Sequence, residues 1–402
     1  MQRNPALGFV LACVFLDALG IGLIIPVLPR LIGSLAGSAD EQTIWYGGIM
    51  ISYGLMQFFF APILGALSDR IGRRPVLLTG ILGLAIMMLV PAFVSSLPLI
   101  LVSRILGGMM SSNIVVAQAY IADVTTENSR ISSFGKIGAI FGIAFVLGPA
   151  LGGVLGQVDP RLPFMVAGAI CGLNFLYGLF ILPESLTQKD TAPLNWKRIN
   201  PFFAIFNLTR LDGIRPFLLI ITLFTLAQSL MQCTWALYVE YRYSWTPLMI
   251  GLSIFALGIS ISLTQGFFLP FLARRLAPEK IVKLGLIIGL FAMLAIGFSP
   301  WGALSLCLIC AFALMGVVGP TIQGEISRQC ADTQQGVNMG AVSSLNSFTG
   351  AISPMIGTPL LMITSRHTDH ILLAGTPYFV CALLLVTALL IAVKADSASR
   401  NK

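Results

Sequence analysis

The chain has 402 residues, of which 56% are hydrophobic and only 10% charged, with a formal net charge of +8. Soluble domains carry about 25% charged residues, so a chain of mean hydropathy +0.90 has too little charge to coat a water-facing surface. A water-soluble enzyme or nucleic-acid binder is thereby excluded. The apolar residues instead fall in runs of about twenty, the length at which a helix crosses hydrocarbon.

In chain order the runs predict helices near 7–30, 44–68, 75–95, 97–124, 131–157, 163–182, 215–241, 247–273, 279–298, 302–330, 336–363 and 371–394. The first is too long for a cleaved signal peptide. Twelve spans make an all-α polytopic membrane protein with both termini on one side. With Met1 cytoplasmic, the inner loops and termini hold 19 of the 24 basic residues. The outer loops hold only Arg30, Arg161, Arg242 and Arg366, and Arg104 lies within a span. That asymmetry places both termini in the cytoplasm. It also explains the positive charge as topology and contact with anionic lipid heads, with no need for a nucleic-acid partner.

A polar, basic stretch at 183–214, which includes Lys197 and Arg198, divides the spans six and six. The expected organisation is an N-terminal bundle at 1–182, a central cytoplasmic loop at 183–214 and a C-terminal bundle at 215–402. An offset of 205 pairs Arg70 with Arg275, Gln118 with Gln323, Ile121 with Ile326, Gly135 with Gly340, Pro149 with Pro354 and Gly152 with Gly357. Two parallel halves of this kind describe the major facilitator fold.

The seven cysteines lie within or at the ends of spans and read as small packing residues, and His367 and His370 fall in the last outer loop. No nucleophile–base pair or metal cluster is legible, so neither an enzyme nor a cofactor or metal is implied. The chemistry lies in buried charge. Asp17 sits in "VFLDALGIGLIIPVLP", about ten residues into a span that needs roughly twenty. Ionisable groups at that depth face a cavity or each other. Arg104 reaches a similar depth in the fourth span. Either Asp17 carries or gates a proton that Arg104 tunes, or the two form a static brace.

"GALSDRIGRRPVLL" joins spans 2 and 3. Gly65 admits a close helix. Asp69 can accept from a helix N-terminus or an arginine. Gly72 completes the spacing, Arg70, Arg73 and Arg74 anchor to phosphates and carboxylates, and Asp123 is the expected partner of Arg70. This stretch resembles motif A of the major facilitator superfamily. "RILGGMMSSN" around Arg104 resembles its motif B. "GKIGAIFGIAFVLGPALGG" resembles the antiporter motif C through Gly135, Gly148, Pro149, Gly152 and Gly153, with Ala144 where a glycine is usual. Small residues there let the fifth span press against a partner from the other half, either as a rocking seam or as tight static packing.

"LDALGIGLIIPVLP", "AQSLMQ", "VEYRYSW" and "PTIQG" further resemble the tetracycline-efflux branch of the drug:proton antiporters. The resemblance runs nearly end to end. It implies a twelve-helix inner-membrane exporter driven by protons, with a small-molecule substrate and protons as its partners, in which a monomer suffices. Three departures stand out. The ninth span lacks the branch's acidic residue, the eighth is apolar near Ile261 where the branch has a histidine, and Glu325 is an added acid. Glu325 is either a second titrating site or a gate partner for Arg328 or Arg130. The few polar residues among Phe and Met within the spans suit a small amphipathic organic molecule as cargo. A self-made metabolite such as a siderophore, a lipid-like molecule and uncoupled facilitation remain alternatives. Tyr53, Gln57, Asn113, Gln118, Gln228, Gln232, Trp235, Gln323 and Asn346 are candidates to line a substrate cavity. Glu240 and Arg242 at the outer end of span 7 form an outer gate or a structural pair.

Overall fold

A computed structural model describes residues 5–111, 113–124, 127–186, 215–329, 335–367 and 370–400. Most of the expected central loop, with Lys197 and Arg198, lies outside them, as do the side chains of Arg130 and Arg328 and the surroundings of Gly135. The described residues hold ten helices long and apolar enough to cross a membrane, and two shorter apolar helices at Val10–Ile24 and Gly142–Val158. Together these are the twelve expected spans, and the fold is all-α.

In the first half, α1 (Pro5–Ile24) stops before a turn and the short α2 (Leu28–Gly33). Pro26 and Pro29 sit at this break, since proline removes a helical donor and restricts the residue before it. Next come α3 (Ala39–Ile71), α4 (Arg73–Phe93), α5 (Leu97–Met110), α6 (Asn113–Val124), α7 (Glu127–Val158) and α8 (Leu162–Ile181). The expected continuous fourth span is thus two helices separated around Ser111, where "GGMMSSN" supplies weak helix formers.

The second half contains α9 (Arg215–Tyr243), α10 (Pro247–Leu263), α11 (Leu269–Ala273), α12 (Pro278–Phe298), α13 (Gly302–Phe312), α14 (Val318–Gln329), α15 (Gln335–Arg366), α16 (Ile371–Ala374) and α17 (Thr376–Arg400). Two of its spans depart from α geometry midway. Thr264–Phe268 forms a π turn between α10 and α11, and Ala313–Val317 forms a 3₁₀ turn between α13 and α14.

The chain divides into two compact units. The first comprises Met1–Ser38, Gly48–Asn200 and Thr246–Phe255, and the second Ala39–Gly47, Pro201–Trp245 and Ala256–Lys402. Two short segments therefore group away from their sequence halves. The start of α3 joins the second unit because Thr43 bonds Tyr241 through their hydroxyls at 2.8 Å and Tyr46 Oη donates to Cys233 O at 3.0 Å. The start of α10 joins the first because Gly251 lies against the Pro149 carbonyl and Gly153 on α7.

The same packing device appears inside each unit. In the first, α7 lies on α1, and a side chain at Gly152 would strike the Leu23 backbone. In the second, Gly357, 205 residues later, lets α15 pack on Thr234, Leu230 and Cys233 of α9. Small residues of this kind bring helix backbones together where hydrocarbon gives no hydrophobic drive for association.

Candidate functional site

Asp17 is held in the first unit by the helix beside it. The amide Nδ2 of Asn174 on α8 donates to Asp17 Oδ1 at 3.2 Å and to the Cys13 carbonyl at 3.3 Å. Around the carboxylate lies a cavity of about 50 Å³ whose polar walls are Cys13, Gln57, Ser111 and Asn113. It is large enough for water but far below the roughly 300 Å³ at which organic ligands begin to fit. Asn113 is buried with neither amide atom hydrogen-bonded, its side chain pressed against Gly80 of α4. Among the described residues no cation pairs with Asp17.

Arg104 does not supply that cation. Its Nη2 donates to the Met87 carbonyl at 3.1 Å, its guanidinium lies 3.8–3.9 Å from the Met88 sulfur, and its Cζ sits 5.8 Å from the centre of the Phe164 ring. At 3% exposure it is a buried cation solvated by a carbonyl, sulfur and a π face. Sequence spacing put Asp17 and Arg104 at similar depth. Rotation about the helix axes, which depth does not fix, turns them to different neighbours.

The motif joining α3 and α4 forms a network around one arginine. Arg73 Nη1 pairs with Asp69 Oδ1 at 2.6 Å and donates to Ser68 Oγ at 2.6 Å, and its Nε donates to Asp123 Oδ2 at 3.1 Å. Asp123, expected opposite Arg70, thus takes Arg73. The backbone N–H groups of Arg73 and Arg74, free at the start of α4, donate to the Glu184 carboxylate at 2.9 and 3.3 Å. A helix N-terminus has unsatisfied donors and a positive field, and Glu184 answers both. Gly72 has φ +118° and ψ 152°, a region nearly closed to residues with a Cβ, and a Cβ there would collide with Glu184. Arg74 Nη2 reaches the Leu179 carbonyl at 2.8 Å. Gly65 admits Val115 at 3.4 Å from where its Cβ would stand.

On α7, a Cβ at Gly148 would stand 2.8 Å from Gly22 Cα, and one at Gly153 would stand 2.7 Å from the Pro247 carbonyl and 3.2 Å from Gly251 Cα. Gly148 and Gly152 thus face α1, while Pro149 and Gly153 face α10, a helix from the other sequence half. Ala144, where a glycine is usual, is fully buried against Ala18 and Leu19.

The second unit has a larger cavity, about 330 Å³, lined by the amides of Gln228, Gln265, Gln323 and Asn346 among Phe224, Ile261, Phe312 and Met315. Three of those amides belong to the sequence candidates. The remaining candidates scatter. Gln57 and Asn113 line the Asp17 cavity, Tyr53 has a buried hydroxyl, with its ring beside Gly107 and its backbone against Gly108, and Gln118 and Gln232 are exposed on their helices. Trp235 is corrected from cavity wall to core. It is 2% exposed and packs edge-on against Trp245 and Tyr378. Glu325 is buried in the second unit. Gln42 Nε2 donates to Glu240 at 3.5 Å, and Arg366 grips Asp40 at 2.8 Å.

Sequence reasoning missed Asn174, Glu184 and Gln265. Asn174 is the one amide of its own span, Leu162–Ile181, and Glu184 follows a proline at a helix end. Both signals are legible only once a neighbour is known.

Comparison with known proteins agrees with this architecture. Residues 10–354 match the Major Facilitator Superfamily. The class C tetracycline resistance protein of Escherichia coli is 34% identical over 386 residues, covering 95% of this chain and 96% of that protein. Multidrug resistance protein 2 of Bacillus subtilis is 29% identical over 87% of this chain and 86% of its own length. Among solved structures, the nucleoside transporter NupG, as a single-residue variant, superposes with a TM-score of 0.77 at 13% identity, over 97% of this chain and 99% of its own. The human organic anion transporter MFSD10 does so with 0.70 at 23%, over 98% and 100%. With the family matched over most of its length and its motifs assembled in three dimensions, the chain is a transporter belonging to the Major Facilitator Superfamily.

Proposed function

We propose that the protein exports a small amphipathic organic molecule across the bacterial inner membrane in exchange for protons, by alternating access. The observation that carries this reading is Asp17: a carboxylate at mid-span, held by an amide and without a cationic partner among the described residues, in a cavity of water size. A carboxylate without a fixed counter-charge can change protonation at modest cost when its surroundings change. It takes a proton from the outer side, cargo leaves, and the proton is released inward as new cargo binds. Relatives named for tetracycline resistance make tetracyclines the first compounds to try. The charge asymmetry of the loops supports cytoplasmic termini, with the basic inner loops against anionic lipid heads. A single chain suffices for the cycle.

The test uses inverted vesicles containing the purified protein under an inside-acid gradient, with internal pH followed by a dye. Addition of cargo raises the internal pH with the wild type and leaves it unchanged with Asp17→Asn. Equal signals from the two proteins would remove Asp17 from the proton path and direct attention to Glu325.

A further inference from the structure

The two cavities differ in both size and chemistry. The one at Asp17 has an acid and room for water only. The one in the second unit has room for part of an organic molecule, and no ionisable side chain among its lining residues. We propose that this second cavity is the subsite that reads the polar face of the cargo, that it selects uncharged groups bearing both hydrogen-bond donors and acceptors, and that Gln265 is its specificity-determining residue. This rests on the export reading above and adds the chemical class of the cargo.

The argument begins with helix geometry. Two neighbouring spans leave α geometry where they face the cavity, the π turn at Thr264–Phe268 and the 3₁₀ turn at Ala313–Val317. Such single-turn departures gather at functional sites because they re-aim side chains and widen the groove beside them. Gln265 is the second residue of the π turn. Opposite it stands Gly316 of the 3₁₀ turn, and a Cβ there would lie 4.0 Å from Gln265 Nε2. That is ordinary contact, so alanine would fit and only a longer side chain would enter the cavity.

The lining chemistry decides the ligand. Gln228, Gln265, Gln323 and Asn346 come from four different segments, and among the described residues none of their side-chain amides bonds to the protein. The Asn346 Oδ1 is fully buried and unpartnered. Polar groups left unpaired at membrane depth are costly and mark functional surface. Each carboxamide offers two N–H donors and an acceptor oxygen, so together they satisfy carbonyl, hydroxyl and amide groups alike. A charged group entering the same space would lose its hydration and meet no counter-charge. The apolar walls of Phe224, Phe312 and Met315 take the hydrocarbon part.

The experiment measures equilibrium binding to the purified full-length protein in detergent at one fixed pH, with no proton gradient, so that it reads affinity and not transport. The probes are chloramphenicol, which is neutral and rich in hydroxyl and amide groups, and tetraphenylphosphonium, a permanent cation without hydrogen-bonding groups. Expected results are preferred binding of chloramphenicol by the wild type and an affinity lowered about tenfold or more by Gln265→Leu and by Asn346→Leu. Gly316→Leu abolishes binding and Gly316→Ala does not. Gln265→Glu, carrying a new charge into the cavity, raises phosphonium affinity while lowering that for chloramphenicol. Each variant is first checked for a wild-type elution profile and melting temperature. Preference for the cation, no binding of chloramphenicol, or equal loss of both probes in folded Gln265→Leu would overturn the assignment. None of these would touch the proton-antiport reading, which the vesicle assay tests separately.

Discussion

Asn174 Nδ2 lies 3.2 Å from Asp17 Oδ1, and Arg104, which the sequence put at a similar depth, bonds to the Met87 carbonyl. The acid at the centre of the first unit is therefore coupled to an amide on α8, and the buried cation belongs to a separate environment between α4 and α8. Asn174 also donates to the Cys13 carbonyl, so it ties α8 to two successive turns of α1 and fixes where the carboxylate stands.

This pairing has a thermodynamic signature. In a double-mutant cycle read by thermal or denaturant unfolding, Asp17→Asn and Asn174→Ala show an interaction energy of about 0.5–3 kcal/mol, as expected for residues in direct contact. Asp17→Asn with Arg104→Met is additive within about 0.5 kcal/mol. Strong coupling in the second cycle would mean that Arg104 senses Asp17 after all.

The motif between α3 and α4 depends on a residue outside it. Glu184→Ala removes the acceptor for two backbone N–H groups at the start of α4 and costs about 1 kcal/mol, the usual value of a lost N-terminal cap. Glu184→Gln keeps an acceptor oxygen and loses only the charge, so it costs less. Unfolding curves of the two variants rank them. Equal stability of wild type and alanine variant would dismiss the cap.

Gly72→Ala places a Cβ in a backbone region that glycine alone occupies freely, with Glu184 in its way. A destabilisation of about 1–3 kcal/mol follows from the backbone term. The same substitution at Gly142, where nothing lies within 4 Å of the added Cβ, leaves the melting temperature close to the wild type, so the pair separates conformational strain from a general dislike of alanine.

In the second unit, Arg366 Nε and Nη2 donate to the Asp40 carboxylate, with Nη2 at 2.8 Å from Oδ2. Such forked geometry is specific in direction. Asp40→Arg slows transport, Arg366→Asp slows it too, and the exchanged pair recovers at least half of the wild-type rate in the vesicle assay. Failure of the exchange to recover any activity would show that these side chains act through other neighbours.

Topology is open to direct labelling. In a cysteine-free background, a membrane-impermeant maleimide applied to whole cells labels Asp159→Cys and spares Glu279→Cys. The reverse pattern would invert the orientation drawn from the loop charges.

The twelve spans, their order and the bias of basic loops were legible in the amino-acid sequence. Hydrocarbon imposes a minimum length and an apolar composition on anything that crosses it, and both are properties of consecutive residues. The glycines of α7 were legible for the same local reason, since a missing side chain at a fixed spacing means a close helix. Partner choice was not. Depth along a helix follows from counting, whereas the direction a side chain faces depends on how neighbouring helices are rotated and packed. That is why Asp17 met Asn174, Asp123 took Arg73 and Trp235 joined the core. Nor does any local pattern encode the π turn that carries Gln265 into the cavity. The π turn and the 3₁₀ turn that meets it come from segments about fifty residues apart, and both lie in the second unit.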